Sequence, residues 1–157
     1  MGKKIIITGG LGYIGTELCK IYSGYSWNDE IIVIDKRFIS ERVNQLRSWN
    51  INFVQGDILN KELINRYCKD ADIVHHLAGV TKVPRTKSES NDQADKEIKE
   101  VGEQGTQNIL NVISDDCKII LPSTHVVYEG ITNVKKDILE DEETSPVLSY
   151  AKSKDYN

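Results

Sequence analysis

No stretch of this sequence is long and apolar enough to be a leader or a membrane span. Behind the basic start Met1-Gly2-Lys3-Lys4 the apolar run extends only from Ile5 to Ile7, whereas a spanning helix needs about 20 apolar residues. A cytoplasmic protein is therefore expected. Cysteine is scarce: Cys19, Cys68 and Cys117 are odd in number and far apart, which excludes an obvious disulfide framework or zinc ligand set and predicts reduced, mostly buried side chains. Histidine offers no metal site either, because His75 and His76 face opposite ways on a strand and His125 lacks a spaced partner. No basic block exists. Twenty Lys and Arg against 24 Asp and Glu give a formal charge of −4, so the basic patch that nucleic acid requires is missing. With only three prolines, 39% hydrophobic and 28% charged residues, the chain falls among globular proteins rather than disordered or fibrous ones.

What is present is alternation. Ile5 to Ile7, Ile31 to Ile34, Ile51 to Val54, Ile73-Val74 and Ile119 to Leu121 are short β-branched runs, apolar except at Asn52 as strands covered on both faces should be. Segments of helical period lie between them: Ile14, Leu18, Ile21 and Tyr22, then Leu59, Leu63 and Tyr67, each forming one apolar stripe. A longer helix is predicted from about Asp95 to Ser114, with Ile98, Val101, Gly105, Ile109 and Val112 inward. Gly102 and Gly105 in its interior cost about 1 kcal/mol each relative to alanine, which close packing would justify. A further helix begins near Tyr150. This alternation predicts a doubly wound α/β fold, a parallel Rossmann-type sheet of strand order 3-2-1-4-5 with its ligand at the carboxyl edge.

The segment Thr8-Gly9-Gly10-Leu11-Gly12-Tyr13-Ile14-Gly15 follows the first strand and opens the first helix. Glycine permits the tight turn and lets a pyrophosphate approach without a Cβ in the way, while the helix start favours its negative charge. Asp35 stands twenty residues past Gly15, at the end of the second strand, where a carboxylate accepts hydrogen bonds from ribose hydroxyls. A phosphate-binding P-loop shares the spacing of Gly10 and Gly15, but Thr16-Glu17 occupy the positions where its lysine and magnesium-binding hydroxyl are required. NAD is the expected cofactor and NADP the less favoured one, with Arg37 just beyond Asp35 as the residue able to reverse that choice.

Taken together, Thr8 to Gly15, Gly56-Asp57-Ile58, His76 to Gly79, Gly105 to Asn108, Pro122-Ser123-Thr124 to Tyr128, and Tyr150-Ala151-Lys152-Ser153-Lys154 closely resemble the NAD-dependent epimerase/dehydratase family, the extended short-chain dehydrogenases. The resemblance covers nearly the whole chain. It implies that Gly9, Gly12, Tyr13, Ile14 and Gly15 meet the pyrophosphate, Asp35 the adenosine ribose, and Asp57 and Ile58 the adenine. It further implies that Leu77, Ala78, Gly79 and Thr81 line the path to the nicotinamide, with Tyr150 and Lys154 also touching the cofactor.

Thr124, Tyr150 and Lys154 match the family's catalytic threonine or serine, tyrosine and lysine. On a helix Tyr150 and Lys154 share a face, so the ammonium can sit beside the phenol, while Lys152 points elsewhere. The implied activity is epimerisation, dehydration or reduction of a nucleotide sugar through transient hydride transfer. Two departures stand out: Gly102 replaces the family's asparagine, and members run to about twice this length. The chain is accordingly expected to be one NAD-binding domain, residues 1–157, stopping inside the helix that carries Tyr150 and Lys154. It would lack the C-terminal substrate-binding part, be inactive by itself, and have lost the family's homodimer. The rival reading is a short, non-catalytic NAD(P)-binding sensor or partner-binding module. Lys82, Arg85 and Lys87 follow the fourth strand without an assigned role.

Overall fold

The computed structural model describes residues 2–25, 28–80, 86, 88–132 and 137–156. They fall into two compact units, the first holding residues 1–79 and 105–122 and the second residues 80–104 and 123–157.

The first unit is the predicted sheet. Strands β1 (Lys4–Thr8), β2 (Glu30–Asp35), β3 (Asn52–Gln55), β4 (Ile73–His76) and β5 (Lys118–Ile120) pair in parallel in the order β3-β2-β1-β4-β5. The order reverses beside β1, which leaves a crevice at its carboxyl end, the place where such sheets take ligands. Helices α1 (Tyr13–Tyr25) and α2 (Ser40–Ser48) cover one face, where Ile5, Ile7, Ile31 and Val33 form a core with Cys19, Val43 and Leu46. Helices α3 (Lys61–Cys68) and α5 (Gly105–Leu110) pack together on the other. Local chemistry sets the helix ends. The Asn60 side chain accepts the Leu63 N–H at 3.0 Å to start α3, and α2 stops where Asn50 turns left-handed at φ 57°.

The inner face of α1 differs from the apolar stripe its periodicity suggests. Gly15 and Cys19 are buried, with Leu18 and Tyr22 packed beside them, while Ile14 and Ile21 are 62% and 57% exposed. The cause is proximity. A Cβ on Gly15 would stand 2.5 Å from the Gly10 Cα, so only small side chains fit beneath the helix and the larger ones move to its flanks. Helix α2, which carries just two buried residues, Val43 and Leu46, shows too faint a stripe for periodicity to find.

The second unit holds α4 (Asp92–Lys99), a π-helical turn (Glu100–Gln104), a 3-10 turn (His125–Tyr128) and α6 (Ser149–Asp155). The single helix expected from about Asp95 to Ser114 is thus α4, the π turn and α5 in succession, starting at Asp92 and ending at Leu110. Both interior glycines are closely packed, as their cost requires. A Cβ on Gly102 would lie 2.8 Å from the Ser153 Cβ, and one on Gly105 2.3 Å from the Ile58 Cδ1. Among the described residues no helix is long and apolar enough to cross a membrane, and no three His, Cys, Asp or Glu residues gather as metal ligands.

Candidate cofactor and catalytic sites

At the end of β1 the backbone turns through Gly9, whose φ of 68° and 2.7 Å separation of a built Cβ from the Ala78 backbone admit no side chain. Gly10 is held against Val33, and Gly15 against Gly10. Gly12 is different. A Cβ there would meet only the Gly9 carbonyl at 3.0 Å and Arg37 Nη2 at 4.0 Å, so internal packing demands glycine less than at the other three. The first turn of α1 contains no acidic side chain, and Tyr13 and Ile14 in it are both largely exposed. A glycine cradle at the positive end of a 13-residue helix fits a dinucleotide pyrophosphate.

Asp35 is buried and saturated with donors. Its Oδ1 accepts the Arg37 backbone N–H at 3.0 Å and Nε at 3.1 Å, and its Oδ2 accepts the Leu11 N–H at 3.1 Å and Arg37 Nη2 at 3.0 Å. The Asp35 hydrogen bond raises the pKa of the Arg37 guanidinium, against the opposing effect of partial burial. A second guanidinium, from Arg42 on α2, donates to the Leu11 carbonyl. Residue spacing indicates Asp35 and its neighbour Arg37 but carries no sign of Arg42.

On the other side of the sheet, Asp57 accepts the Leu59 N–H at 3.0 Å, and the buried Ile58 presents its carbonyl to Asn108 Nδ2 at 3.1 Å. Leu77 and Ala78 are fastened to Thr8, through its carbonyl at 3.1 Å and its hydroxyl at 3.3 Å. That hydroxyl also meets His76 Nδ1 at 2.7 Å, and His76 Nε2 meets the Thr106 hydroxyl at 3.1 Å. His76 therefore locks the end of β1 to α5, a structural use of a buried imidazole. A Cβ on Gly79 would meet nothing within 4 Å. Thr81, with Lys82, Arg85 and Lys87, lies outside the described residues. Burial pushes the thiols of Cys19 and Cys68 up to about 12, so neither is a thiolate near neutral pH.

The second unit carries the other three expected residues. Thr124 caps the 3-10 turn, its hydroxyl oxygen accepting the Val126 N–H at 3.4 Å. Tyr150 and Lys154 sit one turn apart on α6, and partial burial lowers the pKa of the Lys154 ammonium. Their helix is anchored at its head, where Glu129 Oε1 accepts the N–H groups of Val147 at 2.9 Å and Leu148 at 2.6 Å. From below, Ser153 fills the space above Gly102. Glu129 escaped sequence reading because a lone acid before a glycine carries no signal of its own.

The profile of the 3-beta hydroxysteroid dehydrogenase/isomerase family matches residues 6–156. The chain belongs to this family of extended short-chain dehydrogenases. It is similar to the CDP-paratose 2-epimerase of Salmonella typhi, 35% identical over 140 residues that make up 84% of this chain and 40% of that protein. The dTDP-D-glucose 4,6-dehydratase of Dictyostelium discoideum is 38% identical over 94 residues, 56% of this chain and 22% of that protein. Among solved structures, the dTDP-glucose 4,6-dehydratase of Streptomyces venezuelae with NAD bound matches at a TM-score of 0.79 and 26% identity, covering 98% of this chain and 48% of that one. This short-chain dehydrogenase chain therefore spans less than half the length of these relatives.

Proposed function

We propose that these residues are the dinucleotide-binding portion of an NAD-dependent enzyme that epimerises, dehydrates or reduces a nucleotide sugar. The observation that carries the reading is the cradle at the head of α1. Gly12 is packed less tightly than Gly9, Gly10 and Gly15 and stands at the start of a helix whose first turn holds no acid. The sugar-nucleotide chemistry named for the similar proteins supports the substrate class.

When bound, NAD would supply the reversible oxidation of a substrate carbon. Tyr150 then removes or returns the proton of the sugar hydroxyl being oxidised. Lys154, one turn on along the same helix, would place its ammonium beside that phenol and the nicotinamide ribose. Thr124 accepts a backbone N–H through its oxygen and offers its own O–H to the substrate oxygen, fixing the carbon where oxidation occurs. Asp57 and Ile58 would flank the adenine, and Leu77, Ala78 and Gly79 would line the path toward the nicotinamide.

A non-catalytic dinucleotide sensor is the second reading. Retention of Thr124, Tyr150 and Lys154 favours the enzyme. Calorimetric titration of the chain with NAD tests the common part, and absence of binding to a folded protein would end both readings. In the protein containing any further substrate-binding segment, Tyr150→Phe separates them: loss of nucleotide-sugar conversion with NAD affinity intact is expected of the enzyme, and no conversion by the unmodified protein of the sensor.

A further inference from the structure

We propose that Asp95 and Glu129 are positioning residues for the helix carrying Tyr150 and Lys154, two carboxylates that together fix where it starts and which way it is turned. They serve the enzyme reading above, on which the proposal rests, by keeping phenol and ammonium in place. Helix α6 needs such groups. It has seven residues, fewer than the roughly 12–15 that a helix requires to persist alone in water. Its N-cap residue, Leu148, makes no side-chain cap bond to the first turn.

Glu129 supplies the missing acceptor from outside the helix. Its Oε1 takes the N–H groups of both Val147 and Leu148. Its own backbone is held beside them, because the Ser145 N–H donates to the Val127 carbonyl at 2.7 Å and the Gly130 N–H to the Ser145 carbonyl at 2.8 Å. Those bonds fix the start of α6.

Asp95, on α4, grips the helix from the side. Its Oδ2 accepts the Ser90 hydroxyl at 2.6 Å. Hydrogen bonds from Ser90 and then Ser149, with the charge of Lys152, hold its carboxyl below the usual carboxylate range. Ser149 and Lys152 are three residues apart and so share one face of α6, which Asp95 turns toward α4. Behind them Ser153 lies so near the π turn that a Cβ on Gly102 would stand 2.8 Å from its own. All of these residues belong to the second unit. Tyr150 follows Ser149 directly, and Lys154 is one turn further on, so a slip or rotation at the head displaces both. A displacement on the order of 1 Å costs about a hundredfold in rate.

Lys154 reports how the helix is seated, because burial lowers the pKa of its ammonium. NMR of 13C-labelled lysine follows it in the chain itself, the signal being assigned by its disappearance in Lys154→Arg. In the wild type it should titrate below the exposed lysines. In Asp95→Ala and Glu129→Ala it should move up to join them as the helix frays and the side chain regains water. Ser149→Ala, a milder change that leaves both carboxylates, should shift it part of the way. Asp95→Asn and Glu129→Gln keep an acceptor oxygen and should stay near the wild type. Direction separates positioning from charge, since loss of a carboxylate that merely attracted the ammonium would move Lys154 further down.

An unchanged Lys154 in the alanine variants, a downward shift, or release by asparagine and glutamine as full as by alanine would each overturn the inference and leave the enzyme reading standing. Loss of the sheet in an alanine variant, seen by far-ultraviolet circular dichroism, would overturn it too, by making the carboxylate a general support. In the protein containing any further substrate-binding segment, the alanine variants should convert nucleotide sugar about tenfold to a hundredfold more slowly. Intact conversion by Tyr150→Phe would end the enzyme reading and with it the catalytic purpose of both anchors, whatever Lys154 does.

Discussion

The glycines of the turn divide into those that packing requires and Gly12, which we assign to the ligand. Gly9 has the left-handed φ of 68° and touches the Ala78 backbone, and Gly15 touches Gly10. Alanine at either position should cost about 1–3 kcal/mol through strain and overpacking, read as a lower midpoint in denaturant. Gly12→Val should behave differently. Its Cβ presses only on the Gly9 carbonyl, so the sheet should survive with its far-ultraviolet circular dichroism intact. NAD binding should vanish, because the branched side chain stands where the pyrophosphate approaches. Unchanged NAD affinity in folded Gly12→Val would remove the cradle from the functional argument.

Single elements hold to the sheet by contacts of quite different kinds. Helix α1 lies so close to β1 and β2 that its buried positions are a glycine and a cysteine. Cys19→Leu should therefore overpack and destabilise by about 1–3 kcal/mol, whereas Ile21→Lys, at an exposed position, should stay within about 0.5 kcal/mol. Thermal denaturation of the two variants compares them directly, and the reverse order would restore Ile21 to the core.

The same helix is tied to β4 through a polar contact. Tyr22 Oη and His75 Nε2 are 2.7 Å apart, with the rings edge to face. Burial, and then the charge of Lys118, lower the His75 pKa from its ordinary 6.5. The unfolded chain thus takes up this proton first as pH falls, so the folded state loses stability from about 6.5 downward until His75 itself protonates, after which the loss levels off. Denaturation between about pH 7.5 and pH 5.5 should show a decline that is shallower in His75→Gln. Parallel profiles would show that His75 contributes nothing to the pH dependence.

For the molecule as a whole, the span relative to its relatives sets the expectation. A polypeptide of these 157 residues covers 40% of the similar epimerase and 48% of the similar dehydratase structure. It carries the proposed cofactor residues together with Thr124, Tyr150 and Lys154. Alone it should bind NAD weakly and convert no nucleotide sugar, because without most of the substrate contacts nothing holds the reacting carbon near the nicotinamide. A panel of nucleotide sugars, followed by NADH absorbance and product analysis at verified mass, checks this, and robust turnover would mean that these residues suffice.

Periodicity and punctuation along the chain were enough to determine the sheet. Five β-branched runs separated by helices leave few parallel arrangements once crossovers must be right-handed, and the glycine turn marks where the order reverses. The placement of Gly12 and Asp35 was legible for the same reason, since a strand, a turn and a helix in sequence bring them to one edge. Side-chain partners were not. Arg37 is a near neighbour of Asp35, yet its bidentate grip depends on the angle at which β2 ends. Arg42 reaches Leu11 across 31 residues, Tyr22 reaches His75 across 53, and Thr8 reaches His76 across 68. Such contacts follow from how closely layers approach and which way a rotamer points, quantities that no local pattern encodes. The inward face of α1 belongs to the same class. Hydrophobicity ranks Ile14 and Ile21 above Gly15 and Cys19, and the 2.5 Å clearance between a Gly15 Cβ and the Gly10 Cα reverses that ranking.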